Sequence, residues 1–275
     1  MQTSDVPVFV LCGGFGTRLK EETEVRPKPM VPIGNRPIVW HILRTYSHYG
    51  FKKFILCLGY KAEVIKSYFL SYSSLNSDFT VNLRTAEVVV HSVDHDQDWD
   101  VTLAFTGEAA MTGSRVAQAA ARYLGNAEHM AVTYGDGLTN VDLRKEFEFH
   151  RKQGKVGTVL GAKLPSRFGQ LAITGHDVTQ FEEKPDAVDS WINGGYFFFH
   201  RRFLEYVDRD ESCILERTPL VRLAKDGQLC VYKHDGYWAC MDTQRDREQL
   251  TKLWESGAAP WKVWESAPTA AKNGE

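Results

Sequence analysis

Cysteine is scarce and unpaired here: Cys12, Cys57, Cys213, Cys230 and Cys240 are odd in number, scattered, and never spaced as CxxC. That pattern speaks against a disulfide framework or a zinc site and for reduced thiols in a cytoplasm. No apolar run approaches the roughly 20 residues of a membrane span, so no membrane partner is expected. The opening Met1-Gln2-Thr3-Ser4-Asp5 lacks the basic region of a signal peptide. A surplus of positive charge is also missing. Lys and Arg total 33 against 35 Asp and Glu, a formal charge of −2, whereas a general nucleic-acid binder needs a basic excess. Any anionic ligand must therefore be met by local cations. What remains is ordinary globular material, 275 residues that are 43% hydrophobic and 25% charged. That length suits one large domain or two small ones.

The hydrophobic pattern predicts buried strands at 6–12, 54–58 and 131–134, with further strands at 79–83, 88–90 and 101–105. Helices are expected from Pro37 to Gly50 and over 62–72, 115–124 and 143–153. Strands alternating with helices imply an α/β fold with a mostly parallel sheet covered on both faces. Beyond Val156 the pattern turns strand-rich, at 156–164, 170–173, 178–181 and 196–199. Helices return at 219–225 and 243–256. No linker or repeat interrupts the chain, which reads as one α/β unit over 1–266 with a β-rich insertion, and 267–275 reads as a loose tail.

The first strand, ending at Leu11 and Cys12, runs into Gly13-Gly14-Phe15-Gly16-Thr17-Arg18. In an open α/β sheet, ligands lie at the carboxyl ends of strands, and glycines let successive N–H groups approach a phosphate. The string is not a GxxxxGK[ST] P-loop. Nor is it a GxGxxG dinucleotide fingerprint, because Leu19 stands where the last glycine belongs. A plain glycine turn is the alternative. Against it, Lys28 follows in Arg26-Pro27-Lys28-Pro29-Met30, and two cations on a proline-stiffened loop suit a triphosphate.

Asp136, between two glycines after a buried strand, is placed as a metal carboxylate would be, or as a turn aspartate. Asp242, before the last long helix, reads alone as an N-cap. Lys184, after Phe181-Glu182-Glu183, could meet a phosphate or pair with Glu182. Asn193-Gly194-Gly195 could approach sugar hydroxyls or form a bulge. Arg115 near the start of a helix could meet a phosphate with charge and dipole together. The acidic and histidine-rich stretch from His91 to Asp98 reads as a solvated loop rather than a metal cluster. Trp254, Trp261 and Trp264 read as core and docking surface. No Ser/His/Asp or Cys/His constellation indicates covalent catalysis.

Further strings occur in order: Lys28-Pro29-Met30-Val31-Pro32-Ile33-Gly34, Gly59-Tyr60-Lys61, Met111-Thr112-Gly113, Tyr134-Gly135-Asp136-Gly137, Arg167-Phe168-Gly169, Glu183-Lys184-Pro185, Ile192-Asn193-Gly194-Gly195 and Met241-Asp242-Thr243. Together with the glycine loop they resemble the sugar-1-phosphate nucleotidylyltransferases from about Val8 to Trp264. The KPMVPIG string points to the cytidylyl branch, the glucose-1-phosphate cytidylyltransferases. The resemblance implies a Rossmann-like three-layer nucleotidyltransferase fold. Its nucleotide-binding part would span about 6–155, its sugar-phosphate part about 156–242, and a C-terminal helix and docking segment 243–266. It implies CTP and a sugar 1-phosphate, most simply glucose 1-phosphate, as substrates, with Mg²⁺ as cofactor, and a homo-oligomer.

By the same resemblance Arg18, Lys28 and Asp136 are catalytic. Leu11, Cys12, Gly13, Gly14, Phe15, Gly16, Thr17, Arg18, Lys28, Met111, Arg115 and Gly135 would bind nucleotide. Lys184, Asn193, Gly194, Gly169 and Tyr134 would bind the sugar phosphate, and Asp136 and Asp242 the metal. Three positions depart from the cytidylyl pattern: Ala110 replaces a serine, Ser114 a glycine, and Gln170 a small residue. Another nucleotide or sugar phosphate is one alternative, and a catalytically silent nucleotide-sugar binding protein is another. Retention of Arg18, Lys28, Asp136, Asp242 and Lys184 together argues against the silent binder, which could dispense with the metal pair.

Overall fold

The computed structural model describes residues 2–91, 97–163, 170–174, 177–182 and 191–265, with backbone alone at 17, 20, 21, 170–174, 177, 178 and 180–182. Seven strands form the central sheet: β1 (Val8–Cys12), β2 (Lys53–Leu58), β3 (Asp100–Phe105), β4 (His129–Tyr134), β5 (Gly157–Ala162), β6 (Ile192–His200) and β7 (Leu229–His234). Their order is β7-β5-β6-β4-β1-β2-β3. The pairs β1–β2, β1–β4, β2–β3 and β5–β7 are parallel, while β6 runs antiparallel to both β4 and β5. The sheet is thus mostly parallel with one reversed strand.

β1 is apolar throughout because both of its faces are covered. Val8, Val10 and Cys12 join a core built with α1 (Ile38–His48), α2 (Ala62–Leu70), α4 (Leu143–Gln153) and α6 (Gln244–Glu255). Phe9 and Leu11 point the other way, into a core with α3 (Thr112–Tyr123) and α5 (Thr218–Lys225). Alternate residues of one strand therefore feed two cores, which makes three layers. Each large apolar side chain so buried contributes about 1.5–3 kcal/mol. α1 enters on Pro37, whose φ of −66° suits a helix start, and the chain turns away at Gly50 with φ of +90°.

The strand-rich stretch after Val156 lies largely in the main sheet, which β5, β6 and β7 extend. Gln170–Thr174 and Asp177–Glu182 pair with each other apart from it. Aromatic runs such as Tyr196-Phe197-Phe198-Phe199 are continuous because helices cover both sides, not because they form a satellite. Conversely, Phe79–Asn82 and Glu87–Val90 leave the main sheet and pair only with each other.

Candidate active site

A cleft of about 500 Å³ opens where the carboxyl ends of β1 and β4 meet the start of β6. The reversal of β6 delivers Asn193, Gly194 and Gly195 to that rim. Gly13–Gly16 form one wall. Gly16 has φ of +63°, and its carbonyl accepts from Thr23 Oγ1 at 3.2 Å. Gly14 faces open space. Phe15 is exposed beside Tyr60, ring centroids 5.3 Å apart. Leu11, Cys12 and Gly135 line the floor, where a Cβ on Gly135 would stand 2.7 Å from the Leu11 carbonyl. Burial pushes the Cys12 thiol well up, so it offers no ready thiolate. The backbone at Thr17 opens a short 3₁₀ turn, Thr17–Leu19, that carries Arg18.

Lys28 stands on the turn Lys28–Met30, behind Pro27. Its Nζ lies 2.6 Å from Asp136 Oδ2 and 2.6 Å from Asp242 Oδ1. Arg18 Nη1 reaches Asp242 Oδ2 at 2.8 Å. Two short strands bring the aspartates together. Gly137–Thr139 follows Asp136, Trp238–Cys240 precedes Asp242, and the two pair antiparallel. Met241 N then donates to the Asp136 carbonyl at 2.9 Å. Asp242 is not the helix cap that its position suggested. Thr243 caps α6 in a capping box with Asp246, and Asp246 Oδ2 also accepts from Asp242 N at 3.1 Å.

Burial works against the Lys28 ammonium, yet the charge and hydrogen bond of Asp136, with those of Asp242, raise its pKa overall. Burial likewise pushes Asp242 up, but the hydrogen bond and charge of Lys28 and the charge of Arg18 leave it below its ordinary value. Both groups therefore hold their charges: Lys28 to higher pH than usual and Asp242 to lower.

Arg115, expected near a phosphate or nucleotide group, is tied to oxygens of the protein itself. It lines the cleft but is only 4% exposed. Its Nη1 donates to the carbonyls of Leu58 and Gly107 and to Thr106 Oγ1, and its Nη2 to the carbonyls of Gly13 and Glu108. With both Nη groups engaged by these five oxygens, the guanidinium props the glycine loop from behind. Met111 is exposed at the start of α3, beside buried Ala110. Ser114 turns away from the cleft, its Oγ donating to the Arg209 carbonyl at 3.0 Å.

On the opposite wall Asn193 Nδ2 donates to Tyr134 Oη at 3.4 Å, and Asn193 Oδ1 accepts from Gly195 N at 2.8 Å. Gly195, with φ of +75°, lies so close that a Cβ would stand 2.3 Å from the Tyr134 ring. The bulge reading of this segment is also met, since the β5–β6 register shifts between Val159 and Gly161. Lys184 and Gly169 lie outside the described residues. Two groups here were not singled out from the sequence. Trp238 Nε1 donates to the Gly194 carbonyl at 2.7 Å, and its place just before Cys240-Met241-Asp242 was a usable signal. Glu216 accepts from Tyr134 Oη and Thr112 Oγ1, and nothing in its polar stretch foretold it.

The donor set suits a hard divalent cation. Two carboxylates converge on one point, now held by an ammonium, which marks it as a place for positive charge. Among the described residues no group of three or more His, Cys, Asp or Glu could hold a metal alone. A two-carboxylate site completed by waters and phosphates is what Mg²⁺ takes. Among the described residues no helix is long and apolar enough to cross a membrane.

The chain is similar to known proteins. A family model described as "Nucleotidyl transferase" matches residues 8–243. A glucose-1-phosphate cytidylyltransferase of Salmonella typhimurium is 44% identical over 256 residues, covering 93% of this chain and 98% of that one. Its Salmonella typhi counterpart gives the same figures. The solved structure of HddC from Yersinia pseudotuberculosis matches with a TM-score of 0.64 at 23% identity, over 90% of this chain and 99% of that one. The chain belongs to the nucleotidyl transferase family.

Proposed function

We propose that the protein transfers a cytidylyl group from CTP to a sugar 1-phosphate, glucose 1-phosphate first among them, releasing pyrophosphate. The observation that carries this reading is the Lys28 ammonium, shared by Asp136 and Asp242 between the glycine loop and the Tyr134–Asn193 wall. A phosphate oxygen of the sugar phosphate bonds to the α-phosphorus of CTP in line. The bond from that phosphorus to the bridging oxygen breaks, and pyrophosphate leaves with the electron pair. No side chain need act as nucleophile, so positioning and charge carry the catalysis. The amides of Gly13–Gly16 meet phosphate oxygens, Arg18 and Lys28 meet the triphosphate, and Tyr134 and Asn193 orient the sugar phosphate with Lys184. Asp136 and Asp242 would hold Mg²⁺, which supplies screening between the two anions when bound. The 44% identity to cytidylyltransferases over nearly the whole chain supports the choice of base. The protein works in the cytoplasm, as an assembly of its own copies.

Pyrophosphate release measured over four nucleoside triphosphates and several sugar 1-phosphates tests this. CTP with glucose 1-phosphate should lead, EDTA should abolish turnover, and Asp136→Asn should lose at least ~10²-fold in kcat. Full activity in EDTA would remove the metal, and an outright preference for UTP or dTTP would remove the base assignment.

A further inference from the structure

Glu216 joins the two walls of the cleft. It sits in the turn before α5, an exposed carboxylate that has no cation partner among the described residues. Oε2 accepts from Thr112 Oγ1 at 2.8 Å, and Oε1 accepts from Tyr134 Oη. Each hydroxyl is also an acceptor: Thr112 Oγ1 takes the Leu215 N–H at 2.9 Å, and Tyr134 Oη takes Asn193 Nδ2 at 3.4 Å. Both hydroxyl protons are thereby committed to Glu216, an acceptor-only group with an oxygen for each. Thr112 follows Ala110 and Met111 on one wall, and Tyr134 and Asn193 form the other. The segment carrying Glu216 also grips the start of α3 through Met111 N to the Glu211 carbonyl at 2.8 Å and Gly113 N to the Cys213 carbonyl at 2.9 Å.

We propose that Glu216 is a positioning residue that couples the nucleotide subsite to the sugar-phosphate subsite, a role that rests on the functional reading above. Filling one subsite settles Thr112 or Tyr134, and the shared carboxylate carries that order across the cleft. The coupling is reciprocal, as any binding coupling must be.

The test uses α,β-methylene CTP, which binds without releasing pyrophosphate. Its affinity is measured with and without saturating glucose 1-phosphate, in the wild-type chain, Glu216→Ala and Glu216→Gln. In the wild type the sugar phosphate should tighten the analogue at least about fivefold. Glu216→Ala should bring that ratio close to one while the affinity for the analogue alone stays within twofold. Glu216→Gln, which keeps one acceptor oxygen, should fall between the two. Thermal melting checks that each variant is folded, and Tyr134→Phe should lower the ratio in the wild type but not in Glu216→Ala. A wild-type ratio near one, or an unchanged ratio in Glu216→Ala, overturns the coupling while leaving the reaction in place. Failure of the wild type to bind either molecule overturns the functional reading and the coupling with it.

Discussion

At the residue scale, the two adjacent glycines of the loop make opposite demands. A Cβ on Gly13 would stand 2.1 Å from Arg115 Cζ, whereas one on Gly14 meets nothing within 4 Å. Gly13→Ala must therefore push a buried guanidinium off several carbonyl acceptors, and bonds to charged groups contribute about 1.5–3 kcal/mol each. Its expected cost is about 3 kcal/mol in chemical denaturation, while Gly14→Ala stays within about 0.5 kcal/mol. Equal effects would show that Arg115 does not set the loop. That Asp136 and Asp242 share a site with Lys28 was legible only through the family resemblance of their strings, since Asp242 alone read as an N-cap. Arg115 was legible as a residue of the cleft but not in its task. Whether a guanidinium is spent on carbonyls depends on β2, the loop after β3 and the glycine loop meeting in space. Glu216 was illegible for the same reason: Tyr134 and Thr112 reach it only through the fold.

At the element scale, α4 and α1 carry groups whose titration opposes itself. Burial pushes His150 down to about 3, helped by the charges of His129 and His200, and pushes His41 down to about 4. The unfolded chain takes up protons below pH 6.5 that these folded imidazoles refuse. Each therefore destabilises the fold by up to ~1.4 kcal/mol per pH unit as pH falls from about 6.5. Glu146 runs the other way. Buried, and with no hydrogen-bond partner for either carboxylate oxygen among the described residues, it has a pKa raised well above 4.5. The folded state keeps its proton where the unfolded chain loses it, so stability falls as pH rises through that window. The histidines thus favour the fold as pH rises toward 6.5, and Glu146 opposes that rise. Glu146→Gln should gain on the wild type as pH rises from 5 to 8, and a difference that is flat with pH would show Glu146 ionised in the fold. Helix α4 matched its sequence-predicted bounds because Asp142 caps its start and Gly154, at φ of +63°, ends it. Strand β7 was missed because it lies at the sheet edge with a mixed pattern.

At the scale of the whole molecule, the paired strands Phe79–Asn82 and Glu87–Val90 stand apart from the sheet. Phe79, Val81, Val88 and Val90 share one face of this ribbon, and the first three are exposed. An isolated two-stranded ribbon is marginal in water, and an apolar face of this kind marks an interaction surface. Light scattering should give a mass above the 31.2 kDa of one chain. Val81→Lys with Val88→Lys should reduce that mass without altering the circular dichroism of the fold. A wild type that runs as one chain would dismiss self-association. That these segments are strands was readable from their valines; that they leave the main sheet was not, because strand patterning does not say which neighbour a strand will find.

The ion triad also sets a schedule. Lys28 leaves the ribosome early, Asp136 near the middle, and Asp242 late, separated from Lys28 by 214 positions. Asp242 reaches its place only when Trp238–Cys240 pairs with Gly137–Thr139. A nascent or clipped chain that ends before Met241 lacks the second carboxylate, and with it Leu250 and Trp261 of the core. The triad can thus be complete only once translation has passed position 242.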